Sequence, residues 1–274
     1  MSDIRIDALA RELMGAFVTH QTLKVPPSAR DANFDLAVAY AVESELARLR
    51  KAGGHSTVGR KVGFANKAMW RVLKLDTLVW AHMYDDTVRY ADANVATVSV
   101  TDMRSAKIEP EIVFKLKKAV AGSDLDPATV LDAVEWLALG FEIIDCVFED
   151  WKFQPADFVA AFGLHAALIV GEPQRVDAAM IPALVEQLPT FKVRLSKNGQ
   201  LVDEGSGRNS LRSPALCLSE LASAIARRPG AEPLSAGELV SSGTLTESMP
   251  IAAGETWAAT VEGLDVPVLT LHAT

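Results

Sequence analysis

The chain has 274 residues, of which 49% are hydrophobic and 23% are charged, and its formal net charge is −8 at pH 7. These values fit a globular protein of one large domain or two small ones, whereas an acidic chain without a basic tract is a poor candidate for binding nucleic acid or an anionic membrane. The two cysteines stand in no metal-binding spacing, and residues 1–15 lack the apolar core of a signal peptide. We therefore expect a reduced, cytoplasmic protein without a disulfide framework or a membrane span.

The N-terminal region is predicted to be helical. Apolar residues recur at helical spacing over residues 6–17 and again over residues 36–49, which predicts two amphipathic helices. Gly53-Gly54 ends the second of them. We expect a helical N-terminal region, residues 1–55, ahead of a β-rich catalytic core, residues 56–274, within one integrated domain.

Two strands with unusual side chains follow. The segment STVGRKVGFAN, residues 56–66, is typical of a strand, and KIEPEIVFKL, residues 107–116, of another. Because Pro110 cannot donate a hydrogen bond to a neighbouring strand, the second strand is predicted to lie near a sheet edge.

A helix and a strand are predicted next. Asp126-Pro127 is a typical helix start, and the pattern predicts a helix from there through VLDAVEWLAL that stops at Gly140. The segment FEIIDCVF, residues 141–148, then begins as a strand.

The rest of the chain alternates between strands and one helix. Strands are predicted at residues 167–171 and on both sides of Asn198-Gly199, a strong hairpin signal. A helix is predicted over residues 213–226, and two further strands surround Gly263. Helices first and a mostly antiparallel or mixed sheet system afterwards indicate an α+β fold.

Two glutamates share one face of the strand at residues 107–116. Side chains alternate in a strand, so Glu109 and Glu111 point the same way, and they repel each other unless one keeps its proton or a cation lies between them. A solvated sheet face is the alternative. Glu142 begins the strand at 141–148 and supplies a third carboxylate. Three carboxylates and several waters suit Mg²⁺ or Mn²⁺, whereas zinc would normally need His or Cys.

A lysine lies between two glycines in the strand at residues 56–66. Lys61 shares a face with Gly59 and Gly63, which would leave empty volume for a ligand around its ammonium group. A surface lysine on a glycine-rich strand is the alternative. In the functional interpretation, Lys61 lies over a bound anion, and burial lowers its pKa into a range useful for proton transfer.

Several segments, taken together in order, resemble the fumarylacetoacetate hydrolase superfamily and, more closely, its 2-keto-4-pentenoate hydratase and 4-oxalocrotonate decarboxylase branch. They are AYAVESELARLRKAGG leading into GRKVGF, then WAHMYDDTV, KIEPEIVFKL, FEIID, and GELVSSGTLTESMPIAAGETW. The resemblance implies N-terminal helices packed on a mixed β-sheet roll of the fumarylacetoacetate hydrolase C-terminal type. It also implies a cytoplasmic homo-oligomer that acts on a small 2-keto or 2-enol carboxylate.

The resemblance assigns roles to particular residues. It implies that three glutamates bind Mg²⁺ or Mn²⁺, that Lys61 is catalytic and lies beside the substrate, and that the SGTLT motif and the acids after the tyrosine of MYDD contribute to substrate binding. The glutamates are Glu109, Glu111 and Glu142, and the substrate-binding residues are Asp85, Asp86, Ser242, Gly243 and Thr244. Asp145, the second acid of FEIID, is expected to support the site or the fold.

Several activities remain open. The branch implies a metal-dependent hydratase of 2-hydroxy-dienoates in aromatic-compound catabolism, and the same site would serve a decarboxylase of a 2-oxo-hexenedioate. An acylpyruvate C–C hydrolase and a non-catalytic metal-binding protein are further alternatives, although no His-Glu lid motif precedes GRKVGF. The segment at residues 156–171 is apolar where well-studied hydratases are polar, and we interpret its His165 as structural rather than catalytic.

Overall fold

The structure, a computed structural model, describes residues 4–274. Within this part of the chain, no helix is both long enough and apolar enough to cross a bilayer. The α-helices are α1 (Ile6–Thr19), α2 (Pro27–Arg30), α3 (Leu36–Ala52), α4 (Lys67–Leu73), α5 (Pro127–Asp132), α6 (Pro155–Ala160), α7 (Ile181–Gln187) and α8 (Pro214–Ala226). Short 3₁₀ helices occur at Glu149–Trp151, Phe162–Leu164, Ala178–Met180 and Gly207–Asn209.

The strands form two sheets. In chain order they are β1 (Thr57–Gly63), β2 (Val79–Tyr84), β3 (Val88–Tyr90), β4 (Val95–Val98), β5 (Lys107–Leu116), β6 (Val134–Ile144), β7 (His165–Val170), β8 (Gln174–Arg175), β9 (Lys192–Lys197), β10 (Gln200–Ser206), β11 (Leu239–Ser241), β12 (Met249–Pro250), β13 (Thr256–Glu262) and β14 (Leu269–Ala273). The larger sheet has the order β2-β1-β11-β5-β6-β7-β3, with β12 beside β5 and β8 beside β6. The smaller sheet has the order β10-β9-β13-β14-β4.

Both sheets are mixed, and the helices pack on them. The pairs β1–β11 and β3–β7 are parallel in the larger sheet, as is β14–β4 in the smaller one, while the long β5–β6 pair is antiparallel. Helix α1 packs on α3, and α3 on α6. One apolar cluster joins the helices and both sheets, and the α+β prediction is confirmed.

Most of the predicted elements are confirmed, including both N-terminal helices, the strand at residues 107–116 and the helix at 213–226. Asn198 and Gly199 have φ angles of 51° and 79° and join β9 to β10, as expected for a two-residue hairpin turn in which both central residues need positive φ.

The prediction of a helix that ends at Gly140 is correct only for its first turns and wrong after Asp132. Asp126 does cap α5, where its side chain accepts a hydrogen bond from the Thr129 amide at 3.0 Å. However, α5 ends at Asp132, and residues 134–144 form β6, which is buried over most of its length. An apolar run that is buried on both faces has no period that separates a helix from a strand. Gly140 lies inside this strand.

The predicted edge position of β5 is also wrong, because β5 lies between β6 on one side and β11 and β12 on the other. Pro110 lies opposite the break between these two short strands, since β11 pairs no further than Val113 and β12 begins opposite Ile108. The Pro110 carbonyl still accepts a hydrogen bond from the Leu245 amide at 2.9 Å. The missing proline N–H therefore costs no bond between strands.

Candidate metal centre

The register of β5 against β6 brings three carboxylates together. Glu109 is the direct cross-strand partner of Glu142, and Glu111 points to the same face two residues further along β5. Carboxylate oxygens from the three residues lie within 4.8 Å of one another. Glu111 and Glu142 are fully buried, and Glu109 is 9% exposed. The solvated-face alternative is therefore wrong for this strand.

Neighbouring groups on other segments hold one oxygen of Glu111 and one oxygen of Glu109. Glu111 Oε2 accepts hydrogen bonds from Ser241 Oγ at 2.5 Å and from the Gly243 amide at 2.8 Å. Glu109 Oε1 accepts a hydrogen bond from the Ser248 hydroxyl. These bonds fix the direction in which both carboxylates point.

The remaining oxygens fit a hard cation. Glu111 Oε1 is buried and has no hydrogen-bond partner, and Glu142 Oε2 contacts Lys61 Nζ at 3.1 Å without hydrogen-bond alignment. A buried oxygen without a partner is costly and calls for an explanation. Three carboxylates that converge on one point are the donor set of Mg²⁺ or Mn²⁺, so these residues could hold such an ion.

The three carboxylates perturb one another. Burial, followed by repulsion from Glu142 and Glu109, raises the pKa of Glu111 well above its ordinary value. Burial also raises the pKa of Glu142 to about 7, although the nearby Lys61 ammonium acts in the opposite direction. Burial and the repulsion between like charges thus both favour the protonated forms of these carboxyl groups, and a nearby cation would oppose them.

Lys61 lies at the edge of the carboxylate cluster. Its Nζ donates a hydrogen bond to the Gly163 carbonyl at 3.0 Å and lies 4.8 Å from the centroid of the Phe158 ring. Burial alone would lower the pKa of Lys61, but attraction by the three glutamates outweighs it, so the pKa is raised. The pKa of Lys61 is therefore shifted upward, which is opposite to the lowering that we predicted.

The glycines beside Lys61 do not leave the empty volume that we expected. A Cβ on Gly63 would lie 2.4 Å from the Phe158 ring, and one on Gly59 would lie 2.1 Å from the Leu239 carbonyl oxygen. Both glycines instead allow neighbouring groups to pack closely against the backbone of β1.

A cavity of about 640 Å³ opens in front of Lys61 and Glu109. The apolar segment at residues 156–171 contributes Phe158 and Leu164 to its wall. Residues from several further segments complete the lining, among them Phe64, Met69, Lys107, Ile144, Trp151, Phe153, Asp203, Asn209, Gly243, Thr244, Thr246, Glu247 and Ser248.

Not all of the predicted substrate-binding residues reach this cavity. Gly243 and Thr244 line it, but Ser242 is fully buried and its hydroxyl donates to the Ile112 carbonyl at 2.8 Å. Asp85 and Asp86 do not line it either.

Those two aspartates lie on the turn after β2. Asp86 pairs with Arg50, and the Asp85 carboxylate accepts a hydrogen bond from the Ser56 amide at 3.0 Å. His55 lies 3.3 Å from Asp85. The structure thus separates Asp85 and Asp86 from the cavity.

His165 contacts the carboxylate cluster through Glu142. Its Nδ1 lies 2.9 Å from Glu142 Oε1 and its Nε2 lies 2.9 Å from Thr87 Oγ1. Burial lowers the pKa of His165 to about 3, so the ring is neutral and can donate from Nδ1 to the carboxylate. The geometry agrees with our interpretation of His165 as structural, and specifically as a residue that positions Glu142.

Asp145 supports the segment that leads into β5. It accepts hydrogen bonds from the Arg104 amide at 3.0 Å, the Ser105 amide at 2.9 Å and Arg104 Nη1 at 2.6 Å.

Sequence reasoning missed three residues that hold the charged groups of the site, namely Ser241 and Ser248 at the carboxylates and Gly163 at Lys61. Ser241 directly precedes the SGTLT motif, so its position beside a recognised motif was an available signal. The other two carried none, because their contacts depend on how distant segments pack.

The fold and the site define an α+β protein with a buried three-carboxylate cluster and a lysine beside an open cavity. The chain belongs to the fumarylacetoacetate hydrolase family, because the model of the Fumarylacetoacetate (FAA) hydrolase C-terminal region matches residues 73–268. The predicted resemblance is therefore confirmed.

Relatives cover almost the whole chain. It is 30% identical to a 2-hydroxyhexa-2,4-dienoate hydratase of Comamonas testosteroni, with 96% of this chain and 97% of the relative aligned. It is 29% identical to a 4-oxalocrotonate decarboxylase of Pseudomonas sp. (strain CF600), over 94% and 93% of the two chains. A solved 4-oxalocrotonate decarboxylase from Pseudomonas putida G7 has the same fold, with a TM-score of 0.89, 24% identity, and coverage of 100% and 99%.

Proposed function

We propose that the protein is a divalent-metal-dependent hydratase of 2-hydroxy-dienoates of the 2-keto-4-pentenoate type, and that the product is a 4-hydroxy-2-keto acid. The observation that carries this proposal is the convergence of Glu109, Glu111 and Glu142 beside Lys61 at a cavity large enough for a small organic acid. Relatives named as hydratases, at 25–30% identity, support the reaction type.

Three glutamates would hold the cation, which we propose to be Mg²⁺ or Mn²⁺. When bound, the ion supplies a Lewis acid that stabilises negative charge on the C2 oxygen of the substrate. Solved relatives carry magnesium, calcium or manganese in their complexes, which supports a hard divalent ion at these oxygen donors.

Lys61 would orient the substrate carboxylate or transfer a proton. The dienol is ketonised by protonation at C5, and water then adds to the conjugated enone at C4. A bound cation would neutralise the charge of the three carboxylates and leave burial as the main influence on the pKa of Lys61. That pKa would then fall toward a range suited to proton transfer. Phe158 and Leu164 would restrict the access of bulk water to this side of the cavity.

Decarboxylation is the second candidate. Relatives named 4-oxalocrotonate decarboxylase cover the chain as fully as the hydratases do, and the solved one is a complex with magnesium and adipate, a six-carbon dicarboxylate. The same electron sink at C2 would serve the loss of CO₂. By the same family likeness, we also propose that the protein acts as a cytoplasmic homo-oligomer.

The test is to mix the purified protein with 2-hydroxypenta-2,4-dienoate, with Mg²⁺ or with a chelator, and to follow the ultraviolet band of the dienol. Mass spectrometry identifies the product. Metal-dependent loss of the band and a hydrated product, both absent in Glu109→Gln, are expected. Glu186→Gln, on the exposed face of α7, is the matched control. Release of CO₂ from 2-oxohex-3-enedioate, without hydration of either substrate, would instead establish the decarboxylase.

A further inference from the structure

A second cavity lies beside the one in front of the glutamates. It has a volume of about 550 Å³ and shares two lining residues, Lys107 and Trp151, with the first cavity. Pro250, which also lines it, is the cross-strand partner of Lys107. Most of its other walls are apolar, and they include Val100, Met103, Ala106, Ile251 and Ala253. The two cavities therefore meet at the beginning of β5.

Trp151 forms the wall between the two cavities together with Lys107. Its Nε1 donates a hydrogen bond to Ser105 Oγ at 2.8 Å, and Lys107 Nζ lies 3.9 Å from the centroid of its ring. A hydrogen bond at the edge of an indole and a cation over its face both restrict the direction of the ring. The ring is half-buried and packs against the apolar cluster. These contacts hold the wall closed.

The backbone presents Trp151 in an unusual conformation. Asp150 and Trp151 both have a φ of 56°, although this left-handed region is uncommon for residues other than glycine and rare for bulky side chains. Residues in such conformations cost free energy and cluster at functional sites. The strain at this position points to a role for the indole beyond filling of the core.

The wall lies at a defined distance from the candidate metal ligands. Lys107 and Glu109 alternate along β5, so their side chains share a face and their Cα atoms are roughly 6.7 Å apart, which is about the length of an extended six-carbon chain. In the proposed function, the C1 carboxylate and the C2 oxygen of the substrate lie at the glutamates. A tail that runs from there toward Lys107 meets the Trp151 ring at about its sixth carbon.

We propose that Trp151 limits the length of the hydrocarbon tail that the site accepts, and that the apolar second cavity takes the tail of a longer 2-oxo acid once the indole is removed. This inference rests on the proposed function, which anchors the substrate at the glutamates. Trp151 is thus a specificity-determining residue, and its removal extends the range of acids that bind from short chains to longer ones.

Binding of unreactive analogues separates chain length from catalysis. 2-Oxopentanoate and 2-oxooctanoate carry the same 2-keto carboxylate and differ only by three methylene groups. Calorimetry in the presence of Mg²⁺ measures both affinities for the wild type, for Trp151→Ala, and for the double variant Trp151→Ala/Ala253→Trp, in which a new indole fills the second cavity. Ala253 is exposed and lines the second cavity but not the first.

Two further variants complete the set. Trp136→Ala is the matched control, because it removes a half-buried indole of β6 that lies outside the lining of both cavities. Ser105→Ala removes only the hydrogen bond that holds the Trp151 ring and keeps every apolar contact of that ring.

The wild type is expected to bind 2-oxooctanoate no more tightly than 2-oxopentanoate, because the additional carbons meet the indole. In Trp151→Ala, the affinity for 2-oxooctanoate should rise at least about tenfold, since each buried methylene strengthens binding roughly fourfold, while that for 2-oxopentanoate should stay within about threefold. The double variant should lose this gain. Ser105→Ala should show a smaller gain in the same direction, and Trp136→Ala none.

Three results would overturn the role of Trp151 while Mg²⁺-dependent binding of 2-oxopentanoate still supports the proposed function. They are a wild type that already prefers 2-oxooctanoate about tenfold, a ratio of the two affinities that is unchanged in Trp151→Ala, and a gain that survives in the double variant. Should Trp151→Ala not fold, an unchanged ratio in Ser105→Ala would overturn it equally. If the wild type binds neither analogue, or binds them without Mg²⁺, the metal-anchored substrate of the proposed function fails, and this inference fails with it.

Discussion

Glu109 and Glu142 are direct partners across the β5–β6 pair, and both side chains point to the face that also carries Glu111. Like charges placed directly opposite each other destabilise a sheet. Here they also lie where water cannot screen them, since Glu142 is fully buried. The divalent cation proposed above, bound between the two carboxylates, would remove this repulsion.

Removal of one carboxylate should separate stability from metal binding. In Glu111→Gln, a neutral amide replaces a carboxylate whose pKa burial raises, so the metal-free variant should be at least as stable as the wild type. The increase in melting temperature on addition of Mg²⁺ should be lost. Thermal unfolding with and without Mg²⁺ measures both effects, and an unchanged increase in the variant would contradict the metal assignment.

Metal affinity should rise with pH. The pKa of Glu142 is raised to about 7 from 4.5, so the native metal-free protein binds more protons than the unfolded chain between these values. Its stability should therefore fall as the pH rises through this window. Because Mg²⁺ must displace the protons, its apparent affinity should increase over the same window and level off above it. Calorimetric titrations at pH 6 and pH 8 test this, and an equal affinity at both would be inconsistent with it.

Gly163 should be essential for the position of Lys61. Its φ is +60°, and a Cβ would lie 2.7 Å from Lys61 Cδ. Gly163→Ala should lose about 1–2 kcal/mol of stability to the left-handed backbone and should also lower kcat, because Lys61 is displaced. Mg²⁺ affinity should change little.

Gly199→Ala is the matched control, since Gly199 has a φ of +79° but open space around its Cα. It should show the loss of stability without the loss of kcat. Equal kcat values for the two variants would remove the contact with Lys61 as the cause.

His165 should act through Glu142. His165→Ala removes the group at 2.9 Å from Glu142 Oε1 and should weaken Mg²⁺ binding about tenfold to a hundredfold, as is typical when a partner of a metal ligand is lost. His165→Asn can place an amide donor near the Nδ1 position and should restore part of the affinity. Calorimetry gives both values, and identical losses in the two variants would exclude the hydrogen bond as the cause.

The carboxylate cluster could be predicted from the alternation of side chains along a strand and from the family likeness, because Glu109 and Glu111 share a face in any strand. The β5–β6 register that adds Glu142 is a tertiary property. The misassigned helix over residues 133–140 has a related cause, since side chains buried on both faces of β6 leave no polar face to reveal the period.

The substrate-binding predictions depended even more on packing. Asp85 follows β2, which borders β1. Its carboxylate accepts a hydrogen bond from the Ser56 amide, however, and does not line the cavity. The hydroxyl of Ser242 turns into the backbone of β5 and not toward the ligand. In these two cases the side-chain direction is set by hydrogen bonds to segments that lie 29 and 130 residues away in the chain, which a single sequence does not display.

The pairing of Glu109 with Glu142 also has a consequence for how the chain folds. A slip of one residue between β5 and β6 would turn one strand's carboxylates onto the opposite face of the sheet, against Ile108 and Ile112, which have no exposed surface. Such a misregistered species would bury unpaired charge at a cost of several kcal/mol, so we expect the same glutamates to disfavour a shifted β5–β6 pairing while the sheet assembles.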